Sequence, residues 1–192
     1  MGKPIDTSSL QHRLLAILAA DAVGYSRLMS LDEHATLVAL EAGRAVFRRQ
    51  VAGQGGRIVD TAGDSVLAVF PTARGAMAAS IAVQRELAAA NASIADDSRL
   101  LFRIGVHVGD VIARADGTVY GDGVNIAARL QSLAERGGIA ASEAMRAAVK
   151  GKSETRFDDQ GEKRVKNLGL SGSAKGNLGP FGAVQGRVAL PT

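Results

Sequence analysis

From Phe102 to Gly109 the chain alternates Phe102, Ile104, Val106 and Val108 with Arg103, Gly105, His107 and Gly109. A period of two places the first set on one face of a strand and the second on the other, so the segment requires a sheet whose two faces differ in character. The apolar run Leu14 to Ala20, within Arg13 to Ala20, is short enough to be a second, buried strand. Arg57 to Thr61 and Val66 to Phe70 flank Ala62-Gly63-Asp64-Ser65 as the two arms of a hairpin. Helical patterns separate these strands. Ser30-Leu31-Asp32-Glu33 fits a capping box, and Leu37, Leu40, Phe47 and Val51 then recur at helical spacing, which predicts a helix from about Asp32 to Ala52, ended by Gly53, Gly55 and Gly56. Pro71-Thr72 opens a second helix, with Ala76, Ser80, Val83 and Leu87 on one stripe, that fades at Asn91.

After the alternating strand, Gly109-Asp110 predicts a turn into Val111-Ile112-Ala113. A short extended piece follows at Thr118 to Tyr120, then a helix from about Asp122 to Arg136 that Gly137-Gly138 stop. Ile139 to Ala141 form a short strand, Ser142 caps a small helix to Val149, and Thr155 to Val165 pair back as an edge hairpin. The order β-α-β-β-α-β with appended elements predicts an α+β, ferredoxin-like core, an antiparallel or mixed sheet with helices packed on one face. The expected organisation is a frayed lead-in over residues 1–11, one domain over 12–168, and a glycine-rich flexible tail over 169–192.

Composition excludes several kinds of chemistry. With 192 residues and 46% hydrophobic content the chain can bury one full core. It has no cysteine, so disulfides and thiolate metal sites are absent and a reducing cytoplasm is the natural setting. The longest apolar stretch is too short to span a bilayer and lacks the flanks of a cleaved signal, so no membrane segment is expected. The excess of basic over acidic residues between Lys150 and Thr192 equals the whole net charge of +4, and aromatics are only 4% with no tryptophan, which argues against a nucleic-acid partner. No Gly-x-x-x-x-Gly-Lys-Ser loop and no Ser-His-Asp arrangement is found. His107, on an alternating strand, reads as a packed, hydrogen-bonded histidine.

Two carboxylates stand out. Asp21 closes the first apolar run before Ala22-Val23-Gly24-Tyr25-Ser26, and Asp64 follows Gly63 in the hairpin turn. An acid at a strand end beside a tight turn is placed to hold a divalent ion at the mouth of a sheet, which points to phosphate chemistry. The plainer alternative is a strand-end acid capping its turn and a hairpin acid bonding its own loop amides. Asn125 and Arg129, four apart, share one face of a helix, either as a functional pair or as an ordinary polar surface.

Leu18-x-x-Asp21-x-x-Gly24-Tyr25-Ser26, Gly63-Asp64-Ser65, Arg103-Ile104-Gly105-Val106-His107-x-Gly109 and Tyr120-Gly121-Asp122-Gly123-Val124-Asn125-Ile126-Ala127-Ala128-Arg129-Leu130 occur in this order. Together they resemble the catalytic domain of class III nucleotidyl cyclases, over roughly Arg13 to Leu168. The resemblance implies synthesis of cyclic AMP or cyclic GMP from the triphosphate, with two divalent cations, Mg2+ or Mn2+, in sites shared across a head-to-tail homodimer. It makes Asp21, Asp64 and the backbone carbonyl of Ala22 the metal ligands, and sets Val23, Gly24, Tyr25, Ser26 and Lys166 on the phosphates. Asn125 would orient the ribose and Arg129 would meet charge on the α-phosphate, both from the protomer opposite the aspartates.

At the purine positions the family pattern implies residues 60 and 118, where this chain has Asp60 and Thr118. Adenylyl cyclases of the family usually have lysine at the first, and threonine occurs at the second in one subgroup. Asp60 accepts from the adenine amino group but cannot donate to N1 unless protonated, and it can accept from guanine N1 and N2 hydrogens. Asp60 could instead be a strand residue facing away from the base, paired with Arg57. The reading drawn is an adenylate cyclase acting on ATP, with GTP or a weakly active nucleotide-binding module as alternatives. A diguanylate cyclase would require a Gly-Gly-Asp/Glu-Glu-Phe hairpin, and Ala62-Gly63-Asp64-Ser65 stands in its place. The family's Pro-x-Pro-Val continuation is not visible after Leu168, where Gly169-Leu170-Ser171-Gly172 begins the tail.

Overall fold

The computed structural model describes residues 10–150; Lys166, the hairpin expected over Thr155 to Val165 and the glycine-rich tail lie outside the described residues. In chain order the elements are β1 (Gln11–Val23), α1 (Tyr25–Leu31), α2 (Glu33–Gly53), β2 (Arg57–Asp60), β3 (Ser65–Phe70), α3 (Ala73–Ala90), β4 (Leu101–Ala113), β5 (Val119–Tyr120), α4 (Asp122–Leu133), β6 (Ile139–Ala141) and α5 (Glu143–Val149).

Strands β2, β3, β1 and β4 lie side by side and antiparallel, the order expected of a ferredoxin-like core, and β5 and β6 both join β4. β6 runs parallel to β4, so the sheet is mixed. β1 and β4 pair along their whole lengths, from Gln11 opposite Ala113 to Val23 opposite Leu101. That pairing overrides the turn expected at Gly109-Asp110: both residues continue the strand because Leu15 and Leu14 sit opposite them. β3 reaches only as far as Ala16, so residues 11–15 extend past it as a two-stranded ribbon with β4.

Both faces of the sheet carry helices, which corrects the expectation of one covered face. The larger core joins Ala16, Leu18, Ala20 and Ala22 of β1 and Phe102, Ile104 and Val106 of β4 to Phe47 and Val51 of α2, Val83 of α3 and Met145 of α5. Phe47 and Phe102 meet edge to face with centroids 5.2 Å apart. On the other face α4 is the one helix among the described residues that lies across β1 and β4, with Ala127 packed among Ile17, Ala19 and Val111. The small residues of the alternating strand explain that seat. A Cβ on Gly105 would lie 2.8 Å from the Gln131 Cα and closer still to the Ala127 carbonyl oxygen, so only glycine lets the α4 backbone reach the strand.

Two helix starts show how local signals compete. The box expected at Ser30 is not the cap of α2: α1 absorbs Ser30, whose Oγ donates to the Ser26 carbonyl at 2.9 Å. Asp32, with extended backbone, is the cap and accepts from Ala35 N at 2.9 Å. Ser142 caps α5 as the sequence predicts and Thr72 caps α3 where Pro71-Thr72 opens it, accepting from Met145 N and Gly75 N, each at 3.1 Å. α4 ends at Leu133, three residues before the expected Arg136, because Ala134 turns extended.

His107 lies on the α4 face of β4, 8% exposed, with Nδ1 2.8 Å from the Ser142 Oγ. Burial pushes its pKa below the ordinary value of 6.5. The unfolded chain therefore takes up a proton here at a higher pH than the folded one, and stability falls as pH drops from about 6.5 through the folded value. Urea midpoints measured between pH 7.5 and 5.5 should decline for the wild type, and His107→Gln should flatten that dependence; equal slopes in the two chains would contradict it.

Candidate active site

β1 delivers Asp21 to one end of the sheet, and the β2–β3 turn delivers Asp64 to the same end. Asp21 is opposite Ser65 across the β1–β3 pair, and the Asp64 carbonyl accepts the Ala22 N–H at 3.2 Å. Asp21 near the end of β1 and Asp64 in the turn just before β3 thus stand one residue out of register, and both are half-buried. Gly63 makes this possible: its φ of 57° lies in the left-handed region, where a side chain is disfavoured, and the Ser65 N–H closes the turn on the Ala62 carbonyl at 3.0 Å.

Opposite Asp21 on its other side is Arg103 of β4. Nε donates to Asp21 Oδ1 at 3.1 Å and Nη2 to Oδ2 at 2.7 Å, a two-pronged pair in which both side chains are about one-quarter exposed. The bonds to Asp21 raise the Arg103 pKa against the opposing effect of burial, and the charge of Asp64 adds to the rise, which places both acids in its field. In sequence Arg103 is one residue of a longer motif with nothing to single it out; the antiparallel register is what pairs it with Asp21.

The donor set fits a hard divalent cation. No group of three or more acids or histidines gathers anywhere among the described residues. Magnesium is commonly held by one or two carboxylates together with waters and substrate phosphates, not by an all-protein cage, and two aspartates match that pattern. Both Asp21 oxygens accept from Arg103, so a cation here would have to share those oxygens with the guanidinium or displace it. Neither cysteine nor clustered histidine is available to favour zinc.

Between Asp21 and Asp64 on one side and α1 on the other, Val23 closes β1 and Gly24 turns the chain at φ 70°. No side chain caps α1, so the first amides, from Tyr25 and Ser26, have no capping partner. Asn125 and Arg129 both lie on the exposed side of α4, while Gly123, Ala127, Leu130 and Gln131 are buried beneath. Among the described residues neither bonds to Asp21 or Asp64, so a single chain brings the aspartates together and leaves this pair facing outward.

Asp60 and Thr118, the residues expected at the base, sit on neighbouring pieces. Asp60 ends β2, exposed, after a bulge that sets it opposite Leu67. Arg57 does not pair with it; its Nη1 donates to the Gly117 carbonyl at 2.8 Å and ties β2 to the turn between β4 and β5. In that turn Asp116 Oδ1 accepts from the Thr118 N–H at 2.8 Å and from its hydroxyl at 2.6 Å. The Thr118 hydroxyl bond, with the amide bond behind it, holds the Asp116 carboxyl below the usual carboxylate range.

A family model described as the adenylate and guanylate cyclase catalytic domain matches residues 8–181. A putative adenylate cyclase 3 of Rhizobium meliloti (strain 1021) is 42% identical over 161 residues, which is 83% of this chain and 27% of that protein. An adenylate cyclase of Streptomyces coelicolor is 35% identical over 132 residues, 68% of this chain and 33% of that protein. The chain therefore spans about a third or less of the length of these curated relatives. The solved adenylate/guanylate cyclase/hydrolase from Silicibacter pomeroyi superposes with a TM-score of 0.72 at 36% identity, covering 83% of this chain and 93% of that one. The adenylyl cyclase CyaB from P. aeruginosa gives 0.71 at 26% identity, over 84% and 91%. No helix among the described residues is long and apolar enough to cross a membrane. Because the match runs through every strand and helix from β1 to α5 instead of resting on a single motif, the chain belongs to the family of adenylate and guanylate cyclase catalytic domains.

Proposed function

We propose that this domain converts ATP to 3′,5′-cyclic AMP and pyrophosphate, as an adenylate cyclase working in a head-to-tail homodimer. The observation that carries the reading is that Asp21 near the end of β1 and Asp64 in the β2–β3 turn come to the same end of the sheet, one residue out of register. Asp21, Asp64 and the carbonyl of Ala22 would hold two divalent cations, magnesium or manganese. When bound, such a pair supplies positive charge to both the attacking and the leaving oxygen. In the reaction the ribose 3′ hydroxyl loses its proton, its oxygen bonds the α-phosphorus, and the bond from that phosphorus to the pyrophosphate oxygen breaks.

The chain's own residues bind and orient. Amides over Val23, Gly24, Tyr25 and Ser26, with Lys166, would take the charge of the outer phosphates. Asn125 and Arg129 face outward on α4, which supports their completing the site of a second copy. There Asn125 would position the ribose and Arg129 would meet the charge that builds on the α-phosphate, a type of contact whose loss typically costs about 10²–10³ in rate. Each dimer would then hold two such sites.

For the base, the Thr118 hydroxyl spends its proton on Asp116 and retains only acceptor capacity. An acceptor suits the amino group of adenine and not the carbonyl oxygen of guanine. The relatives named adenylate cyclases support the same choice. GTP is the second reading, favoured by the exposed Asp60 carboxylate, which could accept from guanine N1 and N2 hydrogens. Chromatography of products after incubation with ATP or GTP, each with Mn2+ or Mg2+, tests both: cyclic AMP formed from ATP in excess over cyclic GMP from GTP is the expected result. Cyclic GMP as the main product would favour GTP, and nucleotide binding without any cyclic product would favour the binding module.

A further inference from the structure

Arg44 projects from the middle of α2 with a side chain only 15% exposed, and its guanidinium leaves the helix for the β2–β3 turn. Nη2 donates to two backbone carbonyls there, that of Thr61 at 2.8 Å and that of Gly63. Nη1 is held by Glu41, one turn earlier in α2, at 2.6 Å. That bond, ahead of all other causes, keeps the Glu41 carboxyl below its ordinary range. The peptide unit that begins at the Gly63 carbonyl continues directly into Asp64, whose own carbonyl is held from the other side by the Ala22 N–H. The turn is therefore gripped between a helix on one flank and β1 on the other.

Arginine is suited to this grip, because its planar fork sets Nη2 on the two turn carbonyls while Nη1 is held by Glu41, whereas an ammonium is a single point charge. The arrangement also carries a cost. Arg44 Nε is buried with no hydrogen-bond partner among the described residues, which costs stability. We propose that Arg44 is a positioning residue: it holds the Thr61–Asp64 turn in the conformation that keeps the Asp64 carboxylate beside Asp21, and so sets the affinity of the pair for a divalent cation without touching it. The proposal rests on the reading of Asp64 as a metal ligand. If loss of the fork leaves the turn in its binding-competent form about one-tenth of the time, the apparent dissociation constant of the cation rises about tenfold.

The test uses the whole 192-residue chain, with Arg44→Gln, Arg44→Lys and, as control, Arg48→Gln, a half-exposed neighbour on Glu41 at 3.6 Å. Two measurements need no turnover: amide hydrogen exchange, and Mn2+ binding followed by the free-ion paramagnetic resonance signal without nucleotide. In Arg44→Gln the Ser65 and Ala22 amides should exchange about tenfold faster while Ile104 and Val106 of the central pair are unchanged, and Mn2+ should bind about tenfold more weakly. Arg44→Lys should recover part of both effects, and Arg48→Gln should match the wild type. Unchanged Mn2+ affinity in Arg44→Gln, or exchange accelerated equally throughout the chain, would overturn the proposal while leaving Asp64 as a ligand. A wild-type chain that binds no Mn2+ would overturn the assignment of Asp64 itself, and the proposal with it.

Discussion

Asp64→Asn is expected to lower cyclic-nucleotide formation on the order of a thousandfold, since it removes a carboxylate from the proposed paired-cation site, where several kcal/mol of transition-state stabilisation would arise. Asp21→Ala should do the same, and for it a structural explanation can be excluded in advance. The Asp21–Arg103 pair is partly exposed and screened by solvent, so its loss should cost no more than about 1 kcal/mol of stability. Urea midpoints close to wild type, together with loss of product, would separate chemistry from unfolding. The outward position of Arg129 adds a sharper form of the experiment. Mixing inactive Asp21→Ala chains with inactive Arg129→Ala chains should restore about one-quarter of wild-type activity, because about half the dimers are mixed and each mixed dimer has one of its two sites intact. No recovery after demonstrated subunit exchange would refute the shared site.

Gly105→Ala is expected to be the most damaging single change to the fold. The added methyl would meet the Ala127 carbonyl and the backbone of Gln131, neither of which can rotate away as a flexible side chain would. Overpacking against backbone should cost about 3 kcal/mol or more, a fall of roughly 10 °C in melting temperature for a domain of this size. Because α4 carries Asn125 and Arg129, the residual folded protein should lose activity as well, with the helix displaced outward from β4. Ala113→Gly, at the far end of the same strand and half-buried, is the comparison. Equal melting temperatures for Gly105→Ala and wild type would show that α4 does not depend on this close approach.

Much of the fold was legible because it is governed by local rules. The alternation from Phe102 to Gly109, the glycine before Asp64, the helix opening at Pro71-Thr72 and the Ser142 cap each reflect interactions within a few residues, and the structure has them where the sequence placed them. The failures share a cause. At Gly109-Asp110 a turn signal was outweighed by thirteen residues of pairing with β1, whose hydrogen bonds come from a strand far away in sequence. At Ser30 two capping residues competed, and the presence of α1 decided for Asp32. That α4 covers the second face of the sheet was written in Gly105 and Ala127, but an amphipathic stripe does not say which face of a sheet it meets.

By itself the sequence determined the kind of elements, their order, and the two acids whose strand-end and turn positions follow from local chain chemistry. Only the tertiary structure decided which side chains those acids meet. Asp21 and Arg103 are 82 residues apart, and Arg44 is 17 and 19 residues from the carbonyls it grips. Partnerships of that range depend on strand register and on the seat of a helix against a turn, both set by the packing of the whole core, so no short stretch of sequence contains them.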